Sequence, residues 1–269
     1  MPHNRIPFVL ASTAHGSMIL STLDLHQRHD GRTEIGPGAD ILINGAYDVT
    51  LMAIANAFLQ KRRETHRDGV VALDCGANIG AFTLEWARLM DGWGRVIGFE
   101  PQERIFYALA GNIAINNLFN AEVRCCAVGA TCTVADIPVP DYCAPGTLGG
   151  VSIACESFIG QTLTVKKQVD VVSVDSLGLD RVDFIKIDCE GMDVDVLEGA
   201  RRTIARDCPV ILVEWIVTGA TPIDRFMREI GYETCYIGMN VACALPGNDI
   251  MRQLQALKRE QERREQEAA

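Results

Sequence analysis

The sequence predicts an α/β fold: a mostly parallel sheet with helices on both faces. Three observations predict it. Short apolar runs alternate with segments of helical periodicity from Val70 to Leu245. Those runs are continuously apolar, as in strands buried on both faces, where half-exposed strands would alternate. A glycine-bearing turn joins the first run to the first helix, Asp74-Cys75-Gly76-Ala77-Asn78-Ile79-Gly80-Ala81-Phe82-Thr83, and that is where such sheets bind ligands.

Taken in order, the elements read as follows. Residues 1–45 are mixed, with a strand from Ser17 to Leu25 and a turn at Gly36-Pro37-Gly38. Tyr47 to Lys61 places Leu51, Ile54, Ala55, Phe58 and Leu59 on one helical face. Val70 to Leu73 is a strand ending in Asp74, and Ile79 to Met90 is a helix burying Phe82, Trp86 and Leu89. Arg95 to Phe99 is the second strand, and Gln102 to Asn116 a helix with Ile105, Phe106, Leu109 and Ile113 inward. Ala121 to Val128 is a third strand and Val182 to Ile187 a fourth, ending in Asp188. Val194 to Ile204 is a helix, Val210 to Trp215 a fifth strand and Ile223 to Ile230 a helix. Tyr232 to Ile237 and Val241 to Leu245 form a closing hairpin.

This divides the chain into an N-terminal extension or cap (1–66), a core domain (67–247) and a charged helical tail (248–269). Residues 129–169 interrupt the core as an irregular, proline- and glycine-bearing insert, suited to a substrate loop. In the tail, Ile250, Leu254 and Leu257 make an apolar stripe that suits a homo-oligomer contact, on a helix otherwise expected to be solvated.

Composition narrows the function. Of 269 residues, 48% are apolar, enough for a large core, and the formal charge is −10. A nucleic-acid partner is not expected, because phosphate binding needs a basic surface. No run approaches the ~20 apolar residues of a membrane span, and Met1 to Leu25 has no signal-peptide pattern. The ten cysteines contain no C-x-x-C pair. That spacing fits buried free thiols in a reducing cytoplasm rather than a disulfide framework.

The candidate site begins at Asp74. Gly76 and Gly80 let the backbone turn sharply and approach a ligand, together with Ala77, and the helix start presents free N–H groups. A dinucleotide turn would carry a middle glycine where Asn78 stands. An acid at position 74 would repel a pyrophosphate, whereas it would attract the ammonium of a methionine moiety. Glu100, followed by Pro101, closes the second strand, where an acid accepts the hydroxyls of a ribose. Together these residues favour S-adenosylmethionine over NAD. A second group lies far along the chain. Asp188 and Glu190 follow the fourth strand, and Glu214 ends the fifth. Carboxylates converging there suit a general base toward a hydroxyl, or a divalent cation held through oxygen. Lys186 reads as a partner for one of them. Cys189 would need an activating neighbour to act as a nucleophile. His15, His26, His29 and His66 precede the core and could reach the crevice from the cap.

These blocks resemble the FkbM family of S-adenosylmethionine-dependent methyltransferases. The resemblance rests on Leu73 to Gly80, Phe99-Glu100-Pro101, Asn112 to Asn116, Val172 to Leu177, Val182 to Gly191 and Val196 to Ala200. It implies a Rossmann-like class I fold with a seven-stranded sheet whose last pair is antiparallel. It also implies O-methylation of a sugar, glycolipid or secondary metabolite. By position, Asp74, Gly76, Asn78 and Gly80 would cradle the methionine part, Glu100 the ribose, and Asp188 would face the acceptor. Family members commonly carry a glutamate where this chain has Asp193, a residue shorter by one methylene. Two readings compete with this one: an NAD-dependent oxidoreductase, and a module that binds the cofactor without catalysis.

Overall fold

A computed structural model describes residues 7–27, 32–152 and 161–268. The chain opens with two antiparallel pairs, β1 (Phe8–Thr13) with β2 (Gly16–Ser21) and β3 (Leu25–Gln27) with β4 (Thr33–Ile35). Helices α1 (Pro37–Asn44) and α2 (Val49–His66) follow. Gly36-Pro37-Gly38, expected as a turn, starts α1 instead. Proline is tolerated there because the first N–H groups of a helix have no intrahelical partner. The buried N–H of Gly38 donates to the Asp24 carboxylate at 2.7 Å, and that acid lies fourteen residues upstream.

Next come β5 (Val70–Cys75), α3 (Ala81–Leu89), β6 (Gly94–Phe99), α4 (Glu103–Ile115) and β7 (Ala121–Arg124). A second sheet is built from β8 (Ala127–Val128), β9 (Thr133–Pro138) and β10 (Lys166–Val172). The core then resumes with a 3-10 turn (Val174–Leu177), β11 (Phe184–Ile187), α5 (Asp193–Glu198), α6 (Arg201–Asp207), β12 (Val210–Glu214) and α7 (Ala220–Glu229). It closes with β13 (Glu233–Ile237), β14 (Asn240–Ala244) and α8 (Asp249–Ala268).

The main sheet has seven strands in the order β13-β14-β12-β11-β5-β6-β7. All neighbours are parallel except β14, which runs antiparallel to β12 and β13. This is the α/β fold that the strand–helix alternation predicted, with the seven strands and antiparallel last pair that the family resemblance implied. Successive side chains of β5 take opposite faces. Val71, Leu73 and Cys75 join a core with Val196, Leu197 and Phe226 from the helices of one face. Val70 and Ala72 join Phe58, Trp86 and Met90 on the other. Sequence crossovers put both layers against the sheet, so the carboxyl ends of β5, β6, β11 and β12 gather along one edge.

Three expectations change. The strand from Ala121 to Val128 divides between two sheets. Its last bond to the main sheet runs from the Glu100 N–H to Arg124 O at 3.1 Å, and Ala127 and Val128 pair with β10. The helix from Val194 to Ile204 breaks at Gly199. A Cβ there would lie 2.1 Å from Gly129 O, so the close approach of that backbone leaves room for glycine and no side chain. The new helix start is capped from a distance by Asp175, which accepts from the N–H groups of Arg202 and Thr203 at 3.0 and 2.8 Å. The insert is not irregular throughout, because β9 and β10 pair antiparallel within and beside it.

The apolar stripe of the tail is used within the chain. Ile250 and Leu254 pack on the sheet beside fully buried Met251, and Leu257 is left 64% exposed. No single helix among the described residues is long and apolar enough to cross a membrane.

Candidate active site

A cavity of about 450 Å3 opens at the carboxyl edge of the sheet. It is lined by Asp74, Gly76, Ala77 and Asn78 after β5, by Glu100 and Pro101 after β6, and by Asp188, Glu190 and Glu214 after β11 and β12. Residues far apart in sequence therefore meet because parallel strands end side by side.

The turn after β5 is tight. Gly76 has φ +83°, and a Cβ on it would lie 1.8 Å from the Asp188 carbonyl oxygen. The N–H groups of Gly76 and Ala77 both donate to Phe99 O, at 3.0 and 2.9 Å, tying this turn to β6. Asn78 also sits in the left-handed region, at φ 50°, which asparagine tolerates better than most side chains. Two of the turn's candidate residues stand back from the cavity. Gly80 caps α3, where a Cβ would meet Leu109 and Leu84 at 2.5 and 2.9 Å, so its missing side chain serves packing. Thr83 is fully buried and donates to Asp74 Oδ2 at 2.6 Å.

Asp74 is 1% exposed, and its Oδ1 has no hydrogen-bond partner. Burial raises its pKa against the pull of Lys186. Such an atom calls for a cationic or donor group from a ligand. Glu100 is 4% exposed. Its two oxygens accept from the backbone N–H groups of Asn78 (3.0 Å) and Gln102 (2.8 Å). Burial nevertheless pushes its carboxyl up to about 7. A carboxylate has about four acceptor positions, so two remain for a diol.

At the end of β11, Lys186 points to the same side as Asp74. It is buried, lies 5.1 Å from the centroid of the Phe82 ring, and its Nζ donates to Asp188 Oδ2 at 2.9 Å. Burial opposes its charge, but Asp188 and Asp74 together outweigh that and raise its pKa. Glu190 and Glu214 are each pushed up to about 8, first by burial and then by the Asp188 charge. Glu190 has φ 49°. Its loop is fixed by Asp193, which is fully buried and accepts from Cys189 N–H (2.9 Å), Gly191 N–H (3.3 Å) and the Thr218 hydroxyl. Asp193 therefore shapes the loop and does not line the cavity. Cys189 lines the cavity, but burial pushes its thiol well above the ordinary range, away from nucleophilic use.

The N-terminal extension completes the walls. Tyr47 lines the cavity with its ring edge-on to Phe82, the centroids 6.4 Å apart. Its backbone N–H donates to His15 Nε2 at 2.8 Å, while His15 Nδ1 lies 3.0 Å from Glu85. Asn112 and Asn116, one helical turn apart on α4, bond the backbone of Ile19 and Ser17 and so hold β2. Asn112 also donates to Ile79 O at 2.8 Å, linking the extension to the glycine turn. Gln102 donates to Leu148 O at 2.9 Å and accepts from the Tyr142 hydroxyl at 3.1 Å, and Asp24 accepts from Leu148 N–H at 2.7 Å. These bonds bring Thr147, Gly149 and Gly150 of the insert over the cavity. None of the described histidines lines it: His26 pairs with Glu34, His66 bonds Thr65, and His29 lies outside the described residues. Among the described residues, no group of three His, Cys, Asp or Glu side chains is arranged to hold a metal ion.

The arrangement is a cavity rich in carboxylates at the carboxyl edge of a mostly parallel sheet. The chain belongs to the FkbM methyltransferase family: the model of the methyltransferase FkbM domain matches residues 74–234. It is similar to Methyltransferase sdnD of Sordaria araneosa, 25% identical over 192 residues, covering 60% of this chain and 73% of that one. It is also similar to Methyltransferase 1 of Beauveria bassiana, 28% identical over 151 residues, covering 49% of this chain and 59% of that one. Among solved structures it resembles Methyltransferase FkbM from Methylobacillus flagellatus KT, at 20% identity and a TM-score of 0.47. That match covers 70% of this chain and 47% of the other. The methyltransferase fold implies use of S-adenosylmethionine. The family span starts at Asp74 itself, so Tyr47, His15 and Asp24 lie outside it.

Proposed function

We propose that this chain transfers the methyl group of S-adenosylmethionine to a hydroxyl of a small-molecule or glycan acceptor. One observation carries the reading. A buried Asp74 with an unpartnered oxygen, a buried Glu100 with spare acceptor positions and a Lys186–Asp188 pair open into one cavity. Asp74 would take the cofactor's ammonium, the backbone of Gly76 to Asn78 its methionine part, and Glu100 its ribose. The bound cofactor supplies a methyl already activated by a sulfonium, so the protein's main task is alignment.

Asp188 performs that task for the acceptor. One oxygen is fixed by Lys186 and the other has no partner among the described residues. The open oxygen would accept the acceptor's hydroxyl proton as the oxygen becomes an ether. Lys186 holds the carboxyl in place. The lining speaks against an NAD site, because among the described residues Lys186 is its only basic one and is already paired, while acids surround it. A pyrophosphate there would be repelled. The nine free cysteines of the described residues support a reducing compartment, the cytoplasm.

The test is transfer of a labelled methyl group from S-adenosylmethionine to a panel of glycosides and hydroxylated metabolites, with products mapped by mass spectrometry. Label on a hydroxyl oxygen, lost in Asp188→Asn while cofactor binding persists, is the expected result. Label on carbon or nitrogen only, or an Asp188→Asn protein as active as the wild type, would overturn the reading.

A further inference from the structure

Two carboxyls of the cavity are left over once the cofactor and the transfer have their residues. Glu190 and Glu214 are held at fixed places: Glu190 by the left-handed loop that Asp193 anchors, Glu214 by the β12–β14 ladder opposite Asn240. Neither side chain has an ion-pair or hydrogen-bond partner among the described residues. Glu214 Oε2 is buried and unpartnered, as is Oδ1 of the 1%-exposed Asp74 in the same cavity. Among the described residues, six acidic side chains and one lysine line the space, and the lysine is committed to Asp188. Glu34 has His26 beside it, 3.4 Å away. Glu190 and Glu214 alone among these acids have neither a partner among the described residues nor a role toward the cofactor.

An unpartnered acid pair in a desolvated chamber is costly, and a cation between the two relieves it. We propose that the acceptor carries an amine, held as its ammonium by Glu190 and Glu214, beside the hydroxyl that is methylated. This rests on the function proposed above. It also accounts for transfer to oxygen, since a protonated amine has no lone pair to attack with. Anionic acceptors, such as sugar phosphates or uronic acids, are repelled by the same lining. Both carboxyls are pushed up to about 8 by burial and by Asp188. An ammonium would pull them back down, so binding near neutral pH releases protons.

The experiment uses protein loaded with S-adenosylhomocysteine and three probes of similar size: 2-aminoethanol, ethylene glycol and glycolate. Calorimetry at pH 7.5 is run in two buffers of different ionisation enthalpy. The expected result is that 2-aminoethanol binds at least about 10-fold tighter than ethylene glycol, with net proton release, and that glycolate is silent. The preference disappears in the Glu190→Gln/Glu214→Gln protein, while its affinities for S-adenosylmethionine and S-adenosylhomocysteine hold. No difference between the three probes on the wild-type protein overturns the proposal. So does a double variant that loses affinity for S-adenosylmethionine but not for S-adenosylhomocysteine, which would assign the pair to the sulfonium. Failure of the wild-type protein to bind S-adenosylhomocysteine would instead strike the proposed function, so the two failures are distinct.

Discussion

Replacing Asp74 with asparagine separates the cost of this acid to folding from its use in binding. The side chain is 1% exposed, with Oδ2 bonded to Thr83 and Oδ1 unpartnered. Asparagine has nearly the same volume, and its carbonyl oxygen can keep the Thr83 bond, so no cavity forms. The change removes a desolvated charge and, with it, the attraction of Lys186, and these oppose each other. We expect the ligand-free stability to change by less than about 1 kcal/mol, or roughly 2–4 °C in Tm for a chain of this size. Binding behaves differently. The cofactor's ammonium loses a charge-assisted bond of about 1.5–3 kcal/mol. That corresponds to a Kd raised about 10- to 150-fold. Calorimetric titration with S-adenosylmethionine, beside a thermal melt of the same preparation, reads both numbers. An unchanged Kd would refute the assignment of Asp74 to the ammonium. A fall in Tm beyond about 10 °C would refute the account of how Asp74 is packed.

Three other outcomes follow from the same geometry. Gly76→Ala places a Cβ 1.8 Å from Asp188 O at φ +83°, so urea unfolding should show a loss of at least about 1–3 kcal/mol, with cofactor affinity falling in parallel. Asp193→Glu adds a methylene at a fully buried site with three hydrogen bonds. Thermal melts should show a loss of about 1–3 kcal/mol, and a gain would mean the loop has more room than the structure shows. The ligand-free protein should lose stability as pH rises from about 4.5 to 8. Glu190 and Glu214 have folded-state values raised above the ordinary 4.5 to about 8, so the folded state holds more protons in that window. Their contribution is complete below the unfolded value and is lost as pH passes the folded one. Melts at pH 6 and 9 should differ in that direction in the wild type, and much less in Glu190→Gln/Glu214→Gln.

The parts of this structure that could be read in advance are those whose cause is local. The apolar runs of β5, β6, β11 and β12 announce buried parallel strands, and Asp74, Glu100, Asp188 and Glu214 mark where those strands end. Topology then does the rest, since parallel strands bring their ends to one edge. The parts that escaped depend on distant partners. Position 199, where α5 gives way to α6, takes glycine because Gly129 O lies 2.1 Å from where a Cβ would be. Pro37 starts a helix because Asp24 is there to receive the Gly38 N–H. The segment from Ala121 to Val128 carries no mark of changing sheets. Gly80 and Thr83 belong to the glycine turn in sequence, yet serve packing and the Asp74 bond. Tyr47 and Gln102 reach the cavity through contacts with the extension and the insert. A signal was present in Asn112 and Asn116, whose four-residue spacing puts two amides on one helix face, suited to grip an edge strand such as β2.

The most direct measurement is calorimetric titration of the purified protein with S-adenosylmethionine and, separately, with NAD. The account predicts saturable binding of S-adenosylmethionine that weakens in Glu100→Ala as well as in Asp74→Asn, and no binding of NAD. Saturable NAD binding, or no binding of S-adenosylmethionine, would contradict it.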